Sequence, residues 1–246
     1  MTVILVFFIL HWYLSLFSQT FFLHRYAAHN MFSMRTGWEK FFYFFTWFTQ
    51  GSSYLSPYVY AVLHRLHHAY TDTENDPHSP KYEKGLFSLM FKTWKIYNAI
   101  DDDKLPVDEK FKKNLPQWRK FDRFAGSNVV RILFALAYIA IYVIFAPSFW
   151  WYLLLPIHFF MGPVHGVIIN YFAHKYGYRN YKLEDTSVNF LPVDFLMMGE
   201  SYHNNHHKFI GRPNFGVRWF ELDPTYPMII LLSKMRIIRL STEAQV

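Results

Sequence analysis

The sequence predicts an all-α integral membrane protein with about three transmembrane helices, a re-entrant or interfacial helix, and a cytoplasmic helical cap holding a histidine-rich dimetal site. Three observations lead there. The chain of 246 residues is 52% hydrophobic and 22% aromatic but only 17% charged, below the ~25% charged of ordinary globular domains. All 25 Lys and Arg lie in 25–131 and 175–246, and residues 132–174 form an uncharged run of 43. Nine of the 13 histidines stand in short clusters that border the apolar stretches.

A helix needs ~20 residues to cross ~30 Å of hydrocarbon. The run of 43 therefore predicts a hairpin of two spans, roughly 129–146 and 149–172, turning at Ala146-Pro147-Ser148. Residues 2–23 predict the first span. A cleaved signal peptide is the poorer reading, because the stretch has neither a basic n-region nor a small-residue cleavage site. Within it His11, Ser15, Ser18 and Gln19 recur on one face, as expected of a side packed on protein. The positive-inside rule puts both basic blocks in the cytoplasm, with Arg25 at the boundary and the N-terminus outside.

Residues 38–62 have the apolarity of a span but not its length. Their uninterrupted part covers about 20 Å, and Gly51-Ser52-Ser53 and Ser56-Pro57 break it. The chain must also return at His64 to the side it left, so a re-entrant or interfacial helix is expected. The cap then comprises 63–128 and 175–246, and the whole of 1–246 reads as one domain. Inside the cap, Leu86 to Tyr97 predict an amphipathic helix on the bilayer surface. Asp101 to Lys113 predict a solvated connector whose bases could guide a phosphate-bearing substrate or an acidic redox partner. Tyr176 to Leu191 read as a surface loop, and Met228 to Leu240 as an amphipathic helix.

Four histidine groups border these spans: His24 and His29; His64, His67 and His68; Asn170 and His174; and His203, His206 and His207. The i, i+3, i+4 spacing of the second and fourth puts three imidazoles on one helical face. Either cluster alone could be a metal-scavenging tract, but the topology gathers all nine imidazoles at one membrane face. One tetrahedral zinc takes four ligands, so nine suit two metals with open positions. The chain has no cysteine, which excludes thiolate ligands and disulfides; the all-nitrogen set suits iron, copper or zinc. Asp72, Glu74, Asp76 and His78 read as a solvated helix stop, or as groups that orient metal-bound imidazoles. His158 and His165 lie deeper, where packing or tunnel lining is expected. The net charge of +7 falls on no aromatic-interleaved nucleic-acid motif, so no nucleic acid is expected as a partner. A dimetal site beneath a hydrocarbon layer fits metal-assisted lipid hydrolysis or O2-dependent attack on an acyl chain. The second is favoured, because no serine-nucleophile motif is present and the ligands exceed those of a single zinc.

The boxes His24-Arg-Tyr-Ala-Ala-His29, His64-Arg-Leu-His67-His68 and His203-Asn-Asn-His206-His207 resemble those of membrane fatty acid desaturases. Asn170-Tyr-Phe-Ala-His174, Asp76-Pro77-His78 and Gly199-Glu200 are similar to further motifs of the acyl-CoA (stearoyl-CoA type) branch, and the likeness runs over roughly 15–230. The resemblance implies a di-iron enzyme that uses O2 and two external electrons to place a cis double bond, commonly at the ninth carbon. The nine matched histidines would bind the irons, Asn170 would reach one through a water, and Asp76 and Glu200 would orient ligands. The acyl chain, as a CoA thioester, would occupy a bent tunnel that Trp12 closes about three turns below His24, with His165 in its wall. Eukaryotic members of that family carry a further helix before the one with the first box, where this sequence starts, and no fused haem-binding domain is read here. Three spans are therefore expected here, with electrons from a separate donor such as ferredoxin or cytochrome b5 with its reductase. A bacterial cytoplasmic membrane is the expected location, with the site on its cytoplasmic side; in a eukaryote it would be the endoplasmic reticulum. The alternatives are a related di-iron lipid hydroxylase and a non-catalytic metal-binding membrane protein.

Overall fold

A computed structural model describes residues 1–241; the last five residues of the expected cap, 242–246, lie outside the described residues. The first span is a 27-residue helix, Thr2–Ala28. It is α-helical from Thr2 to Phe17 (α1) and widens to a π-helix over Ser18–Ala28. Its Leu5, Val6, Ile9 and Leu10 are exposed while Ile4, His11, Ser15 and Leu16 are buried, the division expected of a helix with lipid on one side and protein on the other.

Two helices that form a hairpin come next. Helix α2 (Thr36–Gln50) leads away from the histidine end of α1, and α3 (Pro57–Tyr70) returns to it. Thr49 at the foot of α2 meets Ser18, their hydroxyls 2.6 Å apart. Ser18 is six residues, or roughly 9 Å, below His24, so this hairpin turns part-way down α1. The expected boundary at 62/63 is not observed, because α3 continues unbroken through His64, His67 and His68. Ser56 caps it, accepting from the Val59 amide, and Pro57 occupies the first turn, where its missing N–H costs nothing. Gly51 makes the break between α2 and α3 at φ +52°, and an added Cβ there would collide with the Tyr138 hydroxyl. Gly51→Ala should therefore cost at least about 1–3 kcal/mol from the backbone alone, read as a lowered melting temperature in detergent.

Helix α6 (Asn128–Phe145) is the second helix with the length and apolarity of a span. The third expected span, 149–172, departs from a single helix. It is two segments, Phe149–Phe159 and Met161–Phe172, bent by 75°. They contain α7 (Leu155–Phe159) and α8 (Met161–Val167), and Ile168–Phe172 is again a π-helix. The cause is Pro163, which has no N–H to give the carbonyl four residues earlier. That carbonyl, on Phe159, instead accepts from Ser52 Oγ at 3.2 Å, and the Gly162 amide donates to Ser53 Oγ at 3.0 Å. The turn between α2 and α3 thus satisfies the backbone freed by the break.

In the cap, α4 (Leu86–Asp101) buries Leu89 and Ile100 and leaves Phe87, Phe91 and Trp94 exposed, the outward aromatic face of an interfacial helix. Short helix α5 (Arg119–Ala125) directly precedes α6, and α9 (His203–Lys208) follows the bent third segment. The expected helix over 228–240 is corrected. Helix α10 covers Thr225–Lys234, Arg236 turns the chain at φ +57°, and Ile238–Leu240 is a strand. This strand (β2) pairs antiparallel with β1 (Phe32–Met34), Phe32 opposite Leu240, and ties the tail to the end of the first span.

Candidate metal centre

The first histidine pair depends on the widening of its helix. Residues five apart point well away from each other on an α-helix of 3.6 residues per turn. A π-helix closes its hydrogen bonds between i and i+5, and the His29 amide donates to the His24 carbonyl at 3.2 Å. The two rings are thereby brought to 4.9 Å between centroids. The same device precedes His174, which follows the π-helical turn Ile168–Phe172.

Helices α3 and α9 each supply three imidazoles, and the structure divides them. His24, His29, His64, His68 and His206 form one group, and His67, His174, His203 and His207 the other; within each, one ligand atom per residue lies within 4.8 Å of all the rest. Each i, i+4 pair serves one group, and the remaining histidine of the same helix crosses to the other. Nε2 atoms face inward throughout. His24 and His206 approach to 3.1 Å, His64 and His29 to 2.8 Å, His174 and His203 to 3.0 Å, and His67 and His207 to 3.3 Å.

The outer nitrogens explain what those inward atoms are for. His24 Nδ1 lies 2.7 Å from Glu200, His67 Nδ1 3.0 Å from Asp76, and His207 Nδ1 3.0 Å from Asp185. Ionised carboxylates only accept, so each of these Nδ1 atoms carries the proton and its Nε2 presents a lone pair. His67 and His207 then direct two lone pairs at one point, which is repulsive without a cation and is the arrangement that metal-ligating histidines show. Burial, then the neighbouring imidazoles, holds His29, His64, His67, His68, His203 and His206 well below the ordinary imidazole value. These rings are neutral and able to ligate. Burial pushes the Asp76 carboxyl up to about 7; positive charge at His67 Nε2 would offset that. Burial opposes ionisation of Glu200 as well, yet His24 and Arg25 hold it below the usual carboxylate range. The donor set fits two metal ions.

A cavity of about 790 Å³ adjoins the first group, with His24, His64, His203, Asn170 and Glu200 in its wall. Of the other residues singled out in the sequence, Asn170 stands on that wall. His165 also lines the cavity, whereas Trp12 packs edge-on against His165, ring centroids 4.5 Å apart, and is not part of the lining. The loop expected to be solvated is buried at Asp72, Asp76 and His78 and exposed at Thr73, Glu74 and Asn75. Asp72 accepts from the Ser79 hydroxyl and the Thr186 amide.

The chain matches the fatty acid desaturase family over residues 1–236. It belongs to that family. Among relatives, it is 30% identical to the sn-1 stearoyl-lipid 9-desaturase of Anabaena variabilis over 178 residues, covering 72% of this chain and 61% of that protein. It is 30% identical over 239 residues to the Delta-9 desaturase-like 3 protein of Arabidopsis thaliana, covering 93% and 74%. The sn-1 stearoyl-lipid 9-desaturase of Synechocystis sp. is 32% identical over 173 residues, covering 70% and 51%. The chain thus spans about half to three quarters of the length of these relatives.

Two parts of this desaturase-family site escaped the sequence reading. Arg25, expected at the membrane boundary, is fully buried in the cap. It donates to the Pro213 carbonyl, Glu200, Asp223 and the Thr20 hydroxyl, and lies over the Phe215 ring. Residues 176–191, expected as a surface loop, wrap α9 instead. There Asp185 meets His207, the Thr186 hydroxyl sits 3.0 Å from His174 Nδ1, and Asn189 receives the Asn204 amide. Acidic residues near a histidine box were the available signal, but Asp185 is 22 positions from its partner. Asp185→Ala should weaken metal binding about 10–100-fold, measured by competition with a chelator, with little change in melting temperature of the metal-loaded protein.

Proposed function

We propose that this chain is an oxygen-dependent di-iron fatty acyl desaturase that introduces a cis double bond into a saturated long-chain acyl group, at the ninth carbon. The carrying observation is the pair of inward-facing Nε2 groups, five histidines and four, against one cavity. His24, His29, His64, His68 and His206 would hold one iron and His67, His174, His203 and His207 the other, with Asn170 positioned to reach one through a water. When bound, the irons would supply the reduction of O2 that removes two hydrogens from the chain. The balance is one acyl CH2–CH2 unit, one O2, two electrons and two protons, giving CH=CH and two waters.

The protein's own part is positioning. Glu200, Asp76 and Asp185 fix ring orientation and tautomer at His24, His67 and His207. Leu16, Leu55, Leu63, Ile169 and Met197 give the cavity wall an apolar surface that would hold an acyl chain beside His64 and His203. His165 in the cavity wall would lie beside that chain, with Trp12 packed against it from outside the lining. Electrons would come from a separate donor, ferredoxin or cytochrome b5 with its reductase. The site would face the cytoplasm, from a bacterial inner membrane or, in a eukaryote, from the endoplasmic reticulum.

A CoA thioester is the first reading of the carrier. A glycerolipid is the second, favoured by the exposed Phe87 and Phe91 of a helix whose Leu89, Met90, Thr93 and Trp94 line the cavity, and by the stearoyl-lipid names of two relatives. Expression in a host that makes no unsaturated fatty acids, followed by acyl-chain analysis, tests the function. A new double bond is expected, and a chelator in the purified assay should abolish its formation. A hydroxylated chain with no double bond would instead assign a hydroxylase. Supplying stearoyl-CoA and stearoyl glycerolipid separately to purified protein identifies the carrier.

A further inference from the structure

Helix α4 has two working faces. Its inward side, Leu89, Thr93 and Tyr97 at intervals of four, lines the cavity. Phe87 and Phe91 on the outward side are exposed, and so is Lys95, whose ammonium lies 4.5 Å from the Phe91 ring centroid. Trp94 belongs to both faces, being 60% exposed and also part of the cavity wall. Charge is divided along the same helix. Lys81 and Lys84, just before it, are exposed like Lys95, and among the described residues none of the three has an acidic partner. The acid among them, Glu83, is turned to Lys92 at 3.6 Å and to the Ser88 hydroxyl. The exposed acids Asp101, Asp102 and Asp103 stand at the other end of the helix, roughly 22 Å from its first residue, and pair with Arg119 and Lys104.

The basic end is also the uncapped end. The helix opens on Gly85, and no side chain caps its first-turn amides, so the positive end of the helix dipole adds to the lysines. Unpaired lysines beside an exposed aromatic face fit a bilayer surface that carries anionic headgroups. The two halves of α4 are held differently. The second packs on α3 through Ile96, Tyr97 and Ile100, and the Tyr97 hydroxyl accepts from the Ser56 amide at 2.7 Å. The first covers the cavity with Leu89, Met90 and Thr93. It is tied by the Thr93 hydroxyl, which donates to the Pro77 carbonyl at 3.1 Å, and by the pair of Glu83 and Lys92.

We propose that Lys81, Lys84 and Lys95 bind anionic lipid headgroups of the bilayer, and that this contact holds the first half of α4 closed over the cavity. The charge of the surrounding membrane then sets how fast an acyl chain exchanges with the site. The headgroup contact stands by itself; its effect on acyl chains rests on the cavity being the acyl site of the function above.

The test uses full-length protein in lipid discs of phosphatidylcholine, with and without phosphatidylglycerol. The first measurement is lipid selectivity from spin-labelled lipids, taken with no acyl substrate present. Wild type should prefer phosphatidylglycerol, and Lys81→Gln, Lys84→Gln and Lys95→Gln combined should lower that preference by up to about fivefold for each lysine. The corresponding arginine variant should keep it. Raising the salt from about 0.1 M to about 1 M shortens the screening length from about 10 Å to about 3 Å and should remove it. The second measurement is the release rate of a fluorescent long-chain fatty acid from metal-loaded protein kept without O2. Phosphatidylglycerol should slow release severalfold from wild type and from the arginine variant, and leave the glutamine variant unchanged. Equal lipid selectivity in wild type and the glutamine variant would overturn the headgroup contact, and selectivity without any effect on release would overturn the closing of the cavity. Weaker binding of stearoyl-CoA by the glutamine variant in phosphatidylcholine alone would assign the lysines to the substrate's phosphates instead. If the iron-loaded enzyme forms no double bond, the desaturase reading fails, while lipid selectivity still decides this contact.

Discussion

Replacing His206 by Ala should leave a folded protein that has lost one of its two metals and its desaturation. His206 Nε2 lies 3.1 Å from that of His24 and 3.0 Å from that of His68, between the first span and α3. Loss of a residue that only orients a ligand costs about 10–100-fold in metal affinity or activity, so removing an imidazole that faces the metal should exceed that range. Metal analysis should show about one ion per chain instead of two, with double-bond formation at background. His203→Ala should do the same to the other group, since its Nε2 meets His174 and His207, each at 3.0 Å. Two ions retained in both variants, with activity, would remove the histidines from the metal centre.

The second large effect is expected at Arg25. Its guanidinium donates to Glu200 at 3.0 Å and to Asp223 at 2.7 Å, in a site without solvent. Breaking a buried pair by removing one partner costs about 3–5 kcal/mol, because the other charge stays behind, and here two carboxylates would stay behind. Arg25→Met keeps the length of the side chain and loses its charge. It should lower the melting temperature sharply and weaken binding at His24, whose Nδ1 is held by the same Glu200. Arg25→Met combined with Asp223→Asn should recover part of the stability, a non-additivity that coupled neighbours produce. An unchanged melting temperature for Arg25→Met would show that the network contributes nothing.

The sequence carried the histidines well and their partners poorly. Spacings of three and four residues translate directly into one helical face, so His64, His67, His68, His203, His206 and His207 were legible as sets. What spacing does not disclose is allocation. Each triplet looks like one metal's half-site, yet α3 and α9 each divide three rings between two groups, because the helices cross and every ring has neighbours on the other. Arg25 was misread for a different reason. A base at the end of an apolar helix ordinarily marks the membrane surface, and nothing local in the sequence announces Asp223, 198 positions away. The pairing of 32–34 with 238–240 is invisible for the same reason. The bend at 160 could have been drawn from Gly162-Pro163, but the length of the uncharged run argued for two plain spans. Its acceptability depends on Ser52 and Ser53, which belong to another segment.

The π-helical close of the first span also bears on how such chains tolerate insertion and deletion. A π turn holds one residue more than the α turn it replaces, so Ser18–Ala28 can absorb a length change without altering what lies at either end. Remove a residue between His24 and His29 and the pair becomes i, i+4, which an ordinary α-helix presents on one face. Ligand convergence at this corner is therefore conserved by geometry rather than by letter count. A homologue with one residue fewer in its first box can keep the same metal-facing pair by giving up the wide turn.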